Sequence, residues 1–432
     1  MQTSFTPDQL RDPAITAADE ILRKCVHCGF CTATCPTYVL LGDENDSPRG
    51  RIYLIKDMLE NDRPASDAVT RHVDRCLSCL SCMTTCPSGV NYMHLVDVGR
   101  QRIARTGRRS AADRLLRWLL ARVLPSPERF RLALLGARMA RPFAAFLPGR
   151  LKALVKLVPP AARTAILEPR VFPAEGVRRR RVALLAGCVQ QVLDAEINAA
   201  TIRLLTKHGC EVVVAEGAGC CGALAYHLGR EEEALAGVRS NVRAWIRERT
   251  ARGLDAIVIN ASGCGTMVKD YGFLLRNDPE LAPGAAEVSA LARDVTEVLA
   301  AVGLKAAVAG AGTTVAYHDA CSLQHGQGVR EAPRLLLQGA GFEVRDVPEG
   351  HLCCGSAGTY NILQPELATR LRDRKAANVD GVGADVVAAG NIGCILQLAP
   401  AIGRPLVHTV QLLDWATGGP RPRVLDQANW LN

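Results

Sequence analysis

Cys25-Val-His-Cys28-Gly-Phe-Cys31-Thr-Ala-Thr-Cys35-Pro36 returns, after thirty-nine intervening residues, as Cys76-Leu-Ser-Cys79-Leu-Ser-Cys82-Met-Thr-Thr-Cys86-Pro87. Both runs read C-x2-C-x2-C-x3-C-P. Thiolates are soft ligands, and three of them at this spacing wrap one iron-sulfur cube while the fourth reaches elsewhere. Pro36 and Pro87 lack a backbone N–H and turn the chain away directly after the last cysteine. A structural zinc site usually joins two Cys-x2-Cys hooks across a longer loop, so iron-sulfur is the better reading of both runs.

In chains with two such runs the fourth cysteine serves the other cluster. Cys25, Cys28, Cys31 and Cys86 are thus expected to hold one [4Fe-4S] cluster, and Cys76, Cys79, Cys82 and Cys35 the second. Between the runs, Ser47-Pro48-Arg49-Gly50-Arg51 reads as a turn, and Ile52, Ile55 and Leu59 have helical spacing. A helix is also expected from Thr16, capped by its hydroxyl. The N-terminal part is therefore expected to be an α-helical two-cluster ferredoxin domain, residues 1–98. Arg49 and Arg51 stand near the cysteines as candidates for charge compensation or for contact with a partner, or as an ordinary solvated turn.

The chain has 432 residues, 48% of them apolar, enough for two or three domains. Its seventeen cysteines are an odd number, and no basic-then-apolar leader opens the sequence, so the thiols are expected to be metal ligands in a reducing, cytoplasmic compartment. The uncharged run from Val386 to Gly403 approaches a membrane span in length, but Asn391, Gln397, Pro400 and three glycines interrupt it. It reads as a buried strand entering a turn.

The net charge of +9 is unevenly placed. From Arg100 to Arg181 twenty-one Lys or Arg stand against four acids, a local excess of 17 that leaves the remainder about eight negative. Residues 99–175 are expected to form a basic helical linker. Its apolar stripe of Leu115, Leu116, Trp118, Leu119, Leu120, Val123 and Leu124 would dock a partner subunit or a membrane surface, or cover the ferredoxin core. Interleaved aromatics and a nucleic-acid reading motif are missing, so no nucleic acid is expected.

Beyond Arg181 apolar strands alternate with amphipathic helices, the mark of an α/β architecture. Strands are expected at Val182–Leu185, Val212–Val214, Ile257–Ile259, Thr314–Ala316, Phe342–Val344 and Val386–Ala388. The cysteines expose a duplication. Cys188 is followed thirty-two residues later by Cys220-Cys221-Gly222 and then by Cys264; Cys321 is followed thirty-two residues later by Cys353-Cys354-Gly355 and then by Cys394. Repeats are expected at 176–305 and 306–432. Ligands at the C-terminal ends of strands converge in one crevice, so each half gathers four thiols, while Cys210 reads as structural. Gly222 and Gly355 are expected to let the backbone pass close to a bulky cofactor. No phosphate-binding loop, Ser-His-Asp order or paired catalytic carboxylates appear.

The Cys-Cys-Gly halves resemble the paired cysteine-rich domains of the heterodisulfide reductase catalytic subunit. The whole chain resembles the family of iron-sulfur subunits that serve bacterial glycolate oxidase, anaerobic glycerol-3-phosphate dehydrogenase and lactate-oxidising complexes. Asp46-Ser47-Pro48-Arg49-Gly50-Arg51-Ile52, Leu185-Ala186-Gly187-Cys188-Val189-Gln190 and Tyr317-His318-Asp319-Ala320-Cys321 carry the resemblance. It implies a mixed α/β chain whose ferredoxin domain precedes the duplicated Cys-Cys-Gly domain. It also implies FAD on partner dehydrogenase subunits, a quinone or membrane surface as the onward contact, and no oxidation of glycolate by the isolated chain.

One departure stands out. The heterodisulfide reductase pattern has a fifth cysteine, which is Ala261 here in one half and Asn391 in the other. Four thiols suit a further iron-sulfur cluster or a zinc, and weaken the alternative of a thiol-disulfide reductase. Asp319 or His318 is a candidate extra ligand in the second half only, or a hydrogen-bonding group at a strand end.

Overall fold

The computed structural model describes residues 1–146, Val155 and residues 164–426. Pro148, Pro159 and Pro160 of the expected linker, with Arg150, Lys152, Lys156 and Arg163, lie outside the described residues.

Among the described residues no strand precedes Arg170, so the two cysteine runs are joined by helix. Both helix starts lie earlier than the spacing suggested. Asp12, not Thr16, caps the first helix, Pro13–Lys24, by accepting from the Ala14 N–H, and Pro13 opens it. The stretch read as a turn is the start of helix Pro48–Glu60: Ser47 Oγ accepts from the Gly50 N–H and Pro48 occupies the first position. Proline is favoured there because its φ is already helical and its missing N–H would have had no partner. These helices and Tyr92–Thr106 enclose a core of Leu22, Ile55, Val73, Leu95 and Ile103.

Among its described residues the basic segment supplies the helices Ala111–Val123 and Pro127–Ala140. Leu120 packs with Leu228, Ile362 and Leu363, and Phe130 with Val192 and Leu193. Several of its arginines serve the fold: Arg109 and Arg117 both clamp Asp74, at 2.6 and 2.8 Å. Leu115, Trp118 and Leu119 are half exposed, and Leu132 and Met139 largely so.

Among the described residues nine strands follow in two sheets. β1 (Arg170–Phe172), β2 (Arg180–Leu184), β3 (Cys210–Val214), β4 (Ala256–Ile259) and β5 (Ala292–Asp294) form the first, in the order β1-β3-β2-β4-β5. β6 (Thr314–His318), β7 (Glu343–Asp346), β8 (Val386–Ala389) and β9 (Leu406–His408) form the second, in the order β7-β6-β8-β9. All pairings are parallel except β1 with β3. Without β1 the two orders are the same, so the thirty-two-residue cysteine spacing reflects a duplicated sheet. The six expected strands are present. The run Val386–Gly403 is β8 and the short helix Ile392–Leu398. Among the described residues no helix is long and apolar enough to cross a membrane.

The halves share one core, in which Val182, Leu184 and Val212 belong to the same apolar cluster as Val315, Val386 and Leu413. Helix Glu196–Lys207 packs on Thr409–Ala416, and helix Val295–Val302 on Glu331–Gly339. Cys210, at the start of β3, is buried in this shared core.

Candidate functional site

In a 2-1-3-4 parallel sheet the chain leaves the first strand in opposite directions on its two sides, which opens a crevice at the strand ends. Cys188 follows β2, Cys220 and Cys221 follow β3, and Cys264 follows β4. Cys321, Cys353, Cys354 and Cys394 repeat that placement around β6, β7 and β8. Cys188 and Cys220 sulfurs are 3.5 Å apart, and those of Cys321 and Cys353 3.7 Å apart. Each half thus gathers its thiols at one point.

Gly222 and Gly355 sit at φ +89° and +88°, where a side chain is disfavoured. Their neighbour is helix backbone rather than open cofactor space: a Cβ on Gly355 would lie 2.6 Å from the Ala368 carbonyl oxygen, and one on Gly222 3.1 Å from that of Ala234. In this conformation the Gly222 and Gly355 N–H groups donate to the sulfurs of Cys220 and Cys353, each at 3.5 Å.

The surroundings of the two thiol sets differ. Asn391, in the place of the fifth cysteine, donates from Nδ2 to the Cys394 sulfur at 3.5 Å, whereas Ala261 offers no such donor. Asp319 is taken up by Arg334, whose guanidinium donates to both carboxylate oxygens at 2.8 and 2.6 Å. His318 is fully buried, and burial pushes it down to about 3, so the ring is neutral.

The ferredoxin cysteines gather in two small cavities. One, of about 30 Å³, is lined by Cys25, Cys28, Cys31 and Cys86, with Cys82 at its edge. The other, of about 20 Å³, is lined by Cys35, Cys76, Cys79 and Cys82. The chain wraps the sulfurs through left-handed residues at matching positions, His27 and Gly29 in the first run and Ser78 and Leu80 in the second. A non-glycine residue held there costs roughly 1–2 kcal/mol. One return is visible: the Ser78 N–H donates to the Cys76 sulfur at 3.4 Å.

Burial pushes the Cys79 and Cys82 thiols well up and Cys31 up to about 11. Bare thiolates are therefore unfavourable here, and a bound metal centre that takes them as ligands removes the penalty. The donor set, four thiols to a cavity, fits iron-sulfur clusters.

One cation is already built in. Arg51 is 1% exposed; its guanidinium donates to the His72 carbonyl (2.6 Å), Thr37 Oγ1 (2.9 Å), Asp46 Oδ1 (3.3 Å) and the Cys35 sulfur (3.8 Å). Burial opposes its charge most, but Cys76, Tyr92, Cys35 and Asp46 together hold it more firmly protonated than a free arginine. Arg49 bridges Glu44 at 2.7 Å, donates to the His27 carbonyl at 3.3 Å and lines the first cysteine cavity. Tyr92 donates from its hydroxyl to the Cys76 sulfur at 3.8 Å. Thr37, Asp46 and Tyr92 were not legible as site residues. Asp46 lies in a quoted motif, but nothing in sequence signals that it faces Arg51, Arg75 and His72 together.

Both Cys-Cys-Gly thiol sets open onto a single cavity of about 600 Å³, which Cys76 also lines. Leu116, Leu120 and Leu124 of the basic segment contribute to its wall. A polar corner joins the parts: Arg100 donates to the Cys76 carbonyl (2.8 Å) and Ser78 Oγ (2.7 Å), and Asp97 pairs with His227 at 3.2 Å.

A helical fold with two cysteine quartets, joined to a duplicated sheet with four thiols per half, defines an iron-sulfur electron-transfer protein. Comparison agrees: residues 21–90 match the 4Fe-4S dicluster domain, and residues 182–269 and 315–399 match the cysteine-rich domain. The glycolate oxidase iron-sulfur subunit of Escherichia coli is 43% identical over 96% of this chain and 99% of its own length. The chain belongs to the family of glycolate oxidase iron-sulfur subunits. Lactate utilization protein A of Geobacillus kaustophilus is 29% identical, over 54% of this chain and 98% of its own. A crystal structure of a hypothetical protein from Helicobacter pylori shares the fold, with a TM-score of 0.53 and 11% identity over 97% of this chain and 75% of that one.

Proposed function

We propose that this chain is the electron-transfer subunit of a flavin-dependent 2-hydroxy-acid dehydrogenase that oxidises glycolate to glyoxylate. The observation that carries the reading is the end-to-end likeness to the glycolate oxidase iron-sulfur subunit, with all sixteen paired cysteines gathered into thiol sets. Cys25, Cys28, Cys31 and Cys86 hold one [4Fe-4S] cluster, and Cys76, Cys79, Cys82 and Cys35 the other. Cys188, Cys220, Cys221 and Cys264, and Cys321, Cys353, Cys354 and Cys394, hold one further centre each. Bound clusters supply one-electron transfer, linking a two-electron flavin oxidation on partner subunits to an onward acceptor.

The chain's own residues set the conditions for that chemistry. Arg51 offsets thiolate charge, while the Ser78 N–H and Tyr92 hydroxyl donate to the Cys76 sulfur, and such bonds help set reduction potentials. The domains are 1–98, 99–175, 176–305 and 306–432. The basic helices dock flavin subunits or the cytoplasmic face of the membrane, and the leucine-walled cavity suits a quinone as acceptor. The likeness to lactate utilization protein A supports L-lactate as the second substrate to test.

The test is to purify the complex by a tag on this chain and follow dye reduction with glycolate, L-lactate and glycerol 3-phosphate. A glycolate-driven rate that requires this chain for quinone reduction but not for flavin reduction supports the reading. Reduction of quinone without the chain, or no co-purifying flavin, overturns it. Iron of about eight per chain would confine clusters to the ferredoxin part, and about twelve to sixteen would extend them to the halves.

A further inference from the structure

The two halves match strand for strand, so residues in equivalent places can be compared. Three positions before Cys188 stands Leu185, and three before Cys321 stands His318. Twenty-one positions after Cys221 stands Val242, and twenty-one after Cys354 stands Lys375. All four side chains are buried, at 2%, 1%, 0% and 2% exposure. An apolar pair in the first half is thus an imidazole and an ammonium in the second.

Neither ring nitrogen of His318 has a hydrogen-bond partner among the described residues. A buried polar group left unpaired costs about 1–3 kcal/mol, and a native core rarely keeps one without a use. The ring's surroundings supply that use. One His318 nitrogen and the sulfurs of Cys354 and Cys394 all lie within 4.8 Å of one another. Asp319, the neighbouring candidate, is held by Arg334, which also reaches Asp346 at 3.0 Å.

We propose that His318 is a metal ligand, forming with Cys354, Cys394 and the Cys321–Cys353 pair a mixed thiolate-imidazole centre, while the first half's centre is bound by thiolates alone. The proposal rests on the reading of both halves as metal centres. Imidazole carries no charge as a ligand, and Lys375 is buried beside the same thiolates, donating to the Glu349 carbonyl at 2.5 Å. Both halves present four thiolates, and the second alone adds a neutral nitrogen donor with a cation beside it. Two occupants share the imidazole–metal bond: a zinc ion, which takes His318 and three of the four thiolates, or an iron-sulfur cluster with a histidine ligand.

The test uses the full-length chain purified without oxygen, as wild type, His318→Ala and His318→Cys. Iron, zinc and acid-labile sulfide are counted per chain. Nitrogen hyperfine coupling is measured on the reduced iron centres, and the visible bands of cobalt exchanged into any zinc site are recorded. The expected result is a nitrogen ligand in the wild type, by hyperfine coupling or by cobalt bands of a mixed sulfur-nitrogen set. His318→Ala loses about one zinc, or the iron of one cluster, with the Cys25–Cys86 signals intact. His318→Cys keeps the metal and loses the nitrogen signature. A wild-type second centre with a sulfur-only spectrum overturns the proposal, as does full metal content with an unchanged spectrum in His318→Ala. Because the wild-type spectrum decides alone, misfolding of a variant does not shelter the idea. A chain with about eight irons and no zinc defeats the proposal by a separate route, since it removes the metal centres of both halves together.

Discussion

Arg51 shows how much one residue carries. Its guanidinium ties helix Pro48–Glu60 to Cys35, Thr37, Asp46 and the His72 carbonyl, all inside the protein. Removing it leaves buried acceptors without a donor while Arg75 still pairs Asp46 at 2.7 Å, a cost of about 1–3 kcal/mol. Arg51→Met is therefore expected to lower unfolding free energy by about that amount and to reduce iron bound at the Cys35, Cys76, Cys79 and Cys82 set, read by urea denaturation and iron analysis. Arg51→Lys keeps the charge and loses the fork of donors, so it should fall between the two. Equal stability of Arg51→Met and wild type would remove Arg51 from this role. The paired glycines give a graded case. Gly355→Ala forces a Cβ to 2.6 Å from a helix carbonyl, against 3.1 Å for Gly222→Ala, and both positions are left-handed. Both variants are expected to lose at least about 1 kcal/mol, Gly355→Ala the more, in paired denaturation curves; the reverse ranking would sink the argument from close approach.

At the scale of elements, the halves end alike in sequence because each last helix begins with a capping box. Asp294 and Glu297 build it in the first half, and His408 and Gln411 in the second. His408 Nδ1 accepts from the Val410 N–H at 3.2 Å, which only an unprotonated nitrogen can do. Burial pushes this histidine down to about 4. A folded-state value below the unfolded one means that unfolding takes up a proton. The stability it contributes is full above about pH 6.5 and is lost as pH falls toward 4. Denaturation midpoints should thus imply a loss of about 1 kcal/mol from this residue between pH 6.5 and 5.5. His408→Asn, which caps without titrating, should flatten that part of the slope; an unchanged slope would show that His408 does not titrate in folding. The same elements show what could be read in advance. Five of the six expected strands were legible as apolar runs, as a sheet buried on both faces demands, whereas β7, an edge strand reading Glu343-Val-Arg-Asp346, was legible through the repeat. β1, β5 and β9 are three residues each and were not, since nothing so short is distinguishable from a loop until its partner strand is known. The cysteine sets were legible because ligand spacing is local. That Arg334 takes up Asp319 and leaves His318 unpartnered was not, because Arg334 lies fifteen residues away in sequence, on a helix that packs on β7.

For the whole molecule, the duplicated sheets behave as one folding unit rather than two beads. Each half lends its first long helix to the other's last: Glu196–Lys207 packs on Thr409–Ala416, and Val295–Val302 on Glu331–Gly339. The exchange is reciprocal, as in a two-fold dimer whose subunits share one chain. Arg203 donates to Asp414 across one of these contacts at 2.7 Å, and Ser262 Oγ lies 2.7 Å from Ser322 Oγ where the two thiol sets face each other. A chain ending at residue 305 would strip this shared core of two thirds of its residues and expose Val182-side and Val295–Val302 apolar faces to water. Burial of a Leu or Val side chain is worth about 1.5–3 kcal/mol, and several are lost together, against a total stability of about 5–15 kcal/mol for a domain. The expected outcome is that residues 1–305 bind a hydrophobic dye strongly and unfold without a cooperative transition, while the full chain shows one coincident transition for both sheets. The ferredoxin part has its own core around Leu22, Ile55 and Leu95, so its iron signals should survive in the truncated chain. Cooperative unfolding of residues 1–305 at wild-type stability would mean that each half closes its own core, and that the single cavity between the thiol sets depends on docking rather than on folding.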